Sequence, residues 1–117
     1  TPYSPDVTSA MQARFVEDGI DVTMVGSFYE GSDLVVGKIN HASILAGAIA
    51  VGQAKDVDGV FISCTSLRAA GIIAAAEKAI GKPVTASNHA LAWHLLRLAG
   101  IDDTRDDAGQ LFRTQLV

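Results

Sequence analysis

The sequence predicts an α/β domain: a parallel four-stranded sheet flanked by helices, with its first strand apparently missing from the chain. Three observations lead there. Helix-like and strand-like patterns alternate along the chain, as βαβ units require. Val60-Phe61-Ile62 is short, wholly apolar and β-prone, the mark of a parallel strand covered on both faces. The first helix has only Thr1-Pro2-Tyr3 ahead of it, and those residues read as the end of a strand that the pattern calls for.

Ser4 suits an N-cap and Pro5 the first helical position, and Val7, Met11 and Phe15 recur at helical spacing until Asp18-Gly19 stops the helix. Ile20 to Phe28, with Val22, Met24 and Val25, reads as a strand. Gly31, Ser32 and Asp33 make a loop before the apolar run Leu34-Val35-Val36. A second helix is expected from His41 to Gln53, with Leu45, Ala48, Ile49 and Gly52 on the face that packs on the sheet. After a turn at Asp56 to Gly59 comes the strand Val60 to Ile62, then a third helix over Leu67 to Ile80. Gly81-Lys82-Pro83 breaks it, and Val84-Thr85-Ala86 is the next strand. Ser87-Asn88 is expected to cap a fourth helix over His89 to Ala99, with Leu91, Leu95 and Leu98 as its inner stripe. Trp93 and Leu96 would form a second apolar face, turned toward another domain or subunit. The tail from Ile101, rich in Asp, is expected to be less ordered.

At 117 residues the chain holds one domain and one core, residues 1–117. With 49% hydrophobic and 19% charged residues it is a folded, globular composition. A net charge of -4 argues against nucleic acid, whose phosphates need clustered Lys and Arg. The single cysteine excludes an internal disulfide framework and a multi-Cys zinc site, and fits a reducing, cytoplasmic setting. Every apolar run is interrupted well short of a membrane span of about 18 residues. A chain opening on Thr1 rather than Met, with no signal peptide, is expected of a processed chain or a piece of something longer.

Cys64 is the strongest candidate for chemistry. It follows a buried strand and precedes a helical pattern, at the sheet edge where α/β proteins bind ligands. The N–H groups of Thr65, Ser66 and Leu67 would lie at a helix start, able to hold a carboxylate or enolate oxygen and to favour the Cys64 thiolate. Asn88 and Ser87 occupy the equivalent position after the next strand. Tyr3 shares that edge if the missing strand is real. Arg68, one turn into the same helix, either neutralises an acidic substrate or faces solvent. His89 and His94 are five residues apart, about 140° around a helix, so they do not converge on a metal. His41 starts a helix. No motif suggests a metal or an organic cofactor.

The motifs Thr1-Pro2-Tyr3, Phe61-Ile62-Ser63-Cys64-Thr65-Ser66-Leu67-Arg68, Gly81-Lys82-Pro83-Val84, Ser87-Asn88 and Ala90-Leu91-Ala92-Trp93-His94 together resemble the C-terminal half of the aspartate/glutamate racemase superfamily. Within it they are similar to the branch of arylmalonate decarboxylase, maleate cis–trans isomerase and the racemase-like ectoine-utilisation proteins. The resemblance covers nearly the whole chain. It implies a cofactor-independent enzyme of two similar α/β halves with the active site between them. Each half of the racemases and isomerases supplies one Cys, whereas the decarboxylase has only the C-terminal one. Cys64 matches that cysteine, Thr65 and Ser66 match carboxylate-binding positions, and Tyr3 matches the tyrosine of the Thr-Pro-Tyr motif. His89 stands where Gln is expected, and Leu34 where the branch carries polar residues.

The expected function is therefore a racemase, isomerase or decarboxylase acting beside a carboxylate, with an isomerase foremost. Cys64 is the catalytic residue, and Tyr3, Thr65, Ser66 and Asn88 are substrate-binding. A non-catalytic carboxylate-binding module is the alternative. The expected partners are a small carboxylate or dicarboxylate, the N-terminal half of the same protein and further copies of the chain. Because the missing strand would be central, its absence should leave two unpaired inner edges and an apolar slot.

Overall fold

The computed structural model describes residues 1–117. Helix α1 runs Pro5–Glu17, with Ser4 Oγ accepting from the N–H of Val7 at 3.4 Å and Asp6 in the first turn, complementary to the helix dipole. A single turn, α2, covers Asp33–Val36; it buries Val36 and leaves Leu34 exposed. Helix α3, His41–Gly52, is capped by Asn40, whose Oδ1 accepts from Ser43 N–H at 2.8 Å. Its small residues serve close packing: a Cβ at Gly52 would lie 2.5 Å from Ile80 Cδ1 and 3.0 Å from Val60 Cγ2.

Strand β1, Val60–Ile62, pairs in parallel with β2, Val84–Ala86, with Val60 opposite Val84 and Ile62 opposite Ala86. Between them lies α4, Ile73–Ile80, closed by Gly81 in the left-handed conformation at φ 70°, which glycine takes without strain. After β2 the chain turns directly into α5, Ser87–Leu98. Val60, Ile62, Val84 and Ala86 are buried, on the sheet face where Gly52 of α3 approaches Val60. Phe61 and Thr85 fall on the other face; Phe15 of α1 meets Phe61 edge-on at 5.8 Å, and Thr85 bonds to His89 of α5. Helices therefore cover both faces, as the alternating pattern requires.

The sheet has two strands, where the sequence led us to expect four. Ile20 to Phe28 is extended but forms no ladder, because no strand of this chain lies against it. Only its end is paired: Thr1 donates to the Gly26 carbonyl at 3.1 Å, and Phe28 N–H donates to the Thr1 carbonyl at 3.0 Å. The expected slot is present as a cavity of about 870 Å³ between Ile20–Phe28 and β1, flanked by Phe15 on one side and Ala48 and Val51 on the other.

Four further expectations change. The third helix starts at Ile73 rather than Leu67, because Leu67 is drawn into the core through an irregular turn and a short 3₁₀ turn, Ala70–Ile72, precedes the α-helix. Leu91, Leu95 and Leu98 are exposed, and α5 turns His89 and Arg97 inward instead. The reason is the tail, which is ordered where disorder was expected. Residues 101–114 wrap back over α5 through two 3₁₀ turns, burying Phe112. Arg97, itself buried, donates to the carbonyls of Thr114, Ile101, Asp103 and Phe112 at 2.7–3.2 Å. Trp93, expected to face a partner, donates its Nε1–H to Thr114 of the same tail at 3.1 Å.

Candidate functional site

Strand β1 ends at Ile62, and the backbone then passes through Ser63 into Cys64 at φ 103°, a left-handed value that side chains with a Cβ rarely adopt. Two bonds hold the turn there. Cys64 N–H donates to Ser87 Oγ at 3.2 Å, and Ser66 N–H donates to Cys64 Sγ at 3.4 Å. The thiol is free and buried.

Ser87 and Asn88 sit at the corresponding exit of β2. Neither caps α5: Ala86 is the N-cap residue and Ser87 already has helical conformation. Their side chains reach across instead, Ser87 to Cys64 and Asn88 Nδ2 to the Thr65 carbonyl at 2.7 Å. The two strand exits are thus tied side by side, so Cys64, Thr65, Ser66 and Asn88 share the carboxyl edge of the sheet.

Tyr3 arrives at the same edge from the Thr1-Pro2 segment, beside β1. Pro2 is fully buried and anchors it. Ser27 Oγ donates to the Tyr3 carbonyl at 2.6 Å and Thr8 Oγ1 to the same oxygen at 3.4 Å. The Tyr3 hydroxyl lies against Ser63 and Cys64. Burial pushes it above the ordinary tyrosine value; the Ser63 hydrogen bond opposes this, and the Cys64 thiol and Asp33 add to it. Tyr3, Cys64, Thr65, Ser66 and Asn88 are therefore brought together, although their numbers span almost the whole chain.

One part of the anticipated geometry is different. With no helix before Ile73, the N–H groups of Thr65, Ser66 and Leu67 are not a helix terminus. Leu67 N–H returns to the Cys64 carbonyl at 3.3 Å and Ser66 N–H is on sulfur, which leaves Thr65 N–H free and exposed. The hydrogen-bond donors at this edge are thus one turn amide together with the Tyr3 and Asn88 side chains. Arg68 is exposed and makes no ion pair. His89 is not at the site: its Nε2–H donates to the Ala108 carbonyl at 2.7 Å and its Nδ1 accepts from Thr85 at 3.0 Å. His94 stacks on Trp93, and His41 opens α3. No three His, Cys, Asp or Glu side chains converge. Sequence reading passed over Ser63, whose position next to Cys64 was the available signal, and placed Ser87 at this edge as a helix cap, whereas its hydroxyl holds the Cys64 turn.

The sequence model of the arylmalonate decarboxylase family matches residues 1–112. The chain belongs to that family. Arylmalonate decarboxylase of Bordetella bronchiseptica is 29% identical over 101 residues, which are 86% of this chain and 42% of that protein. A crystal structure of arylmalonate decarboxylase superposes with a TM-score of 0.82 at 28% identity, over 94% of this chain and 49% of that one. A double mutant of the enzyme in liganded form gives 0.87 at 26% identity, over 95% and 48%. The chain thus spans a little under half the length of the family members it matches, and the likeness places it in the racemase-type α/β superfamily. No helix is long and apolar enough to cross a membrane.

Proposed function

We propose that this chain is the thiol-bearing half of a cofactor-independent enzyme that works on the carbon next to a carboxylate. The observation that carries the proposal is the Cys64 turn: a lone thiol held in strained backbone at the sheet edge, with the Ser66 N–H on its sulfur and Tyr3 packed against the same cluster. Strain of this kind, of about 1–3 kcal/mol, persists where the surroundings impose it and gathers at reactive positions.

The family membership favours decarboxylation as the reaction to test first. A malonate-type acid would lose one carboxyl group as carbon dioxide, the electron pair of the broken C–C bond staying on the α-carbon as an enediolate. Thr65 N–H, Tyr3 and Asn88 would hold the oxygens of the remaining carboxylate as that charge develops. The Cys64 S–H bond would then break, its proton passing to the α-carbon, and the thiolate would regain a proton from water. An isomerase or racemase needs a second acid–base group across the reacting carbon. Cys64 is the only thiol in these 117 residues, so that group would come from the N-terminal half, which we propose completes the cleft.

The test is the complete protein incubated in D₂O with a panel of arylmalonic, maleic and 2-aryl carboxylic acids. We expect carbon dioxide release and one deuterium at the α-carbon, both abolished by Cys64→Ser with the fold intact. Undiminished turnover in Cys64→Ser would sink the assignment. Carboxylate binding with no turnover of any acid would favour the non-catalytic binding module.

A further inference from the structure

The end of the extended run Ile20–Phe28 meets Thr1-Pro2-Tyr3 as a parallel pair, and the pairing breaks at Tyr3. Thr1 donates to the Gly26 carbonyl at 3.1 Å and its own carbonyl accepts from Phe28 N–H at 3.0 Å, which sets Thr1 opposite Ser27. A regular ladder would next join Tyr3 N–H to the Phe28 carbonyl and Glu30 N–H to the Tyr3 carbonyl. Neither bond forms. Glu30 N–H donates to the Pro2 carbonyl at 2.7 Å, one residue short, so Tyr29 is the extra residue of a bulge.

Tyr29 takes φ 53°, and it and Cys64 are the two non-glycine residues with left-handed backbone. Its ring is exposed, so packing of the ring does not impose that conformation. Hydrogen bonds do. Ser27 Oγ accepts from Tyr29 N–H at 3.1 Å and donates to the Tyr3 carbonyl at 2.6 Å. The Ser27 hydroxyl thus spans the bulge and replaces the bond that Glu30 would have given to Tyr3. Tyr3 N–H turns to Thr1 Oγ1 at 3.3 Å, and the second donor to the Tyr3 carbonyl, Thr8 Oγ1, is long at 3.4 Å. Each strained residue at this edge is therefore held by a serine hydroxyl, Cys64 by Ser87 and Tyr29 by Ser27.

We propose that Ser27 is a positioning residue of this site: its hydroxyl keeps the bulged pairing and so holds Tyr3 against the Cys64 turn. The inference rests on the reading given above, in which Tyr3 holds a substrate oxygen. Without the hydroxyl, the strain at Tyr29 has nothing to oppose it. The Tyr3 carbonyl would turn to Glu30 N–H, as in a regular ladder, and carry its ring away from Cys64.

The test compares Ser27→Ala with Ser27→Thr, which keeps a hydroxyl at the same position. Isotopically labelled tyrosine is read by NMR at Cζ, and the Tyr3 signal is identified by its loss in Tyr3→Phe. We expect the Tyr3 titration midpoint to fall toward that of the denatured chain in Ser27→Ala, as the ring leaves its half-buried place, and to keep its wild-type value in Ser27→Thr. In the complete protein, acting on the acid that the wild type turns over fastest, kcat should fall about 10–100-fold in Ser27→Ala with KM within about threefold, since small misplacements act on the reacting geometry. Ser27→Thr should restore most of the rate. An unchanged Tyr3 midpoint in Ser27→Ala overturns the proposal, and so does a raised KM at unchanged kcat. Should Ser27→Ala not fold, Ser27→Cys, similar in shape but a weak donor, replaces it with the same outcomes. Turnover undiminished by Cys64→Ser would overturn the catalytic reading instead. The Tyr3 midpoint needs no substrate and decides the role of Ser27 in either case.

Discussion

The N–H of Cys64 donates to Ser87 Oγ at 3.2 Å, so the first residue of α5 holds the strained residue that follows β1. Ser87→Ala removes a bond to a buried backbone group, and we expect a loss of about 1 kcal/mol in chemical denaturation. The effect should be coupled to the strain. In Cys64→Gly the backbone conformation costs little, and that variant should be about 1 kcal/mol more stable than Cys64→Ala. Combined with Cys64→Gly, the Ser87→Ala substitution should cost measurably less than it does in the wild type. Additive losses would show that Ser87 does not hold the turn.

Arg97 is a buried cation that meets four carbonyl oxygens and no carboxylate. Lys cannot reproduce a planar fork that bonds in several directions. Arg97→Lys and Arg97→Met should each cost about 2–4 kcal/mol, because carbonyls of the tail lose charged donors. Limited trypsin digestion should then cut first at Arg105 and Arg113, where the wild type resists. Abolishing the fully exposed Arg105–Asp107 pair with Asp107→Asn should leave the denaturation midpoint unchanged.

The Glu77 carboxylate, also buried, accepts from Val84 N–H at 3.0 Å and from Gln110 N–H at 2.9 Å, joining α4 to β2 and to the tail. Glu77→Gln turns one acceptor into a donor facing an N–H, and we expect a loss of about 1–3 kcal/mol. Gly109 supports the same contact: its φ is 81°, and an added Cβ would lie 2.7 Å from Ile73 Cγ2 and 3.0 Å from Glu77 Oε2. Gly109→Ala should be destabilising and should speed exchange of the Gln110 amide. An unaltered Gln110 exchange rate in both variants would show that the tail is held without Glu77.

Burial raises the Tyr3 hydroxyl above the ordinary tyrosine value of 10.0. A raised acid binds its proton more tightly when folded, so its contribution to stability is full below about pH 10 and is lost as pH climbs from there through the folded-state value. In a Tyr29→Phe background, absorbance at 295 nm reports Tyr3 alone. Its midpoint should lie above that of the denatured chain, and Tyr3→Phe should reduce the fall in stability above pH 10. A midpoint equal to the denatured value would place Tyr3 in solvent, away from Cys64.

The alternation of elements, both strands of the sheet, helices on both of its faces and the placing of Cys64 at a strand exit are written in the residues themselves. Those features are local. Val60-Phe61-Ile62 is too short and too apolar for anything but a buried strand, and Gly81-Lys82-Pro83 stops a helix wherever it stands. The slot was legible too, since a helix opening at Ser4-Pro5 with three strand-like residues ahead of it implied a strand beyond Thr1. Which face of α5 lies inside depends on long-range packing. Apolar spacing marked Leu91, Leu95 and Leu98 as a stripe, but the tail bends back over the opposite face, where Arg97 and His89 find carbonyls that no periodicity reveals. The tertiary structure also decided that the chain past Cys64 is an irregular turn, since burial of Leu67 outweighs the helix propensity of the residues around it. And it decided that Tyr3, Cys64 and Asn88 meet: the parallel strands β1 and β2 bring the exits before Cys64 and Asn88 to one edge, and the buried Pro2 carries Tyr3 to the same place.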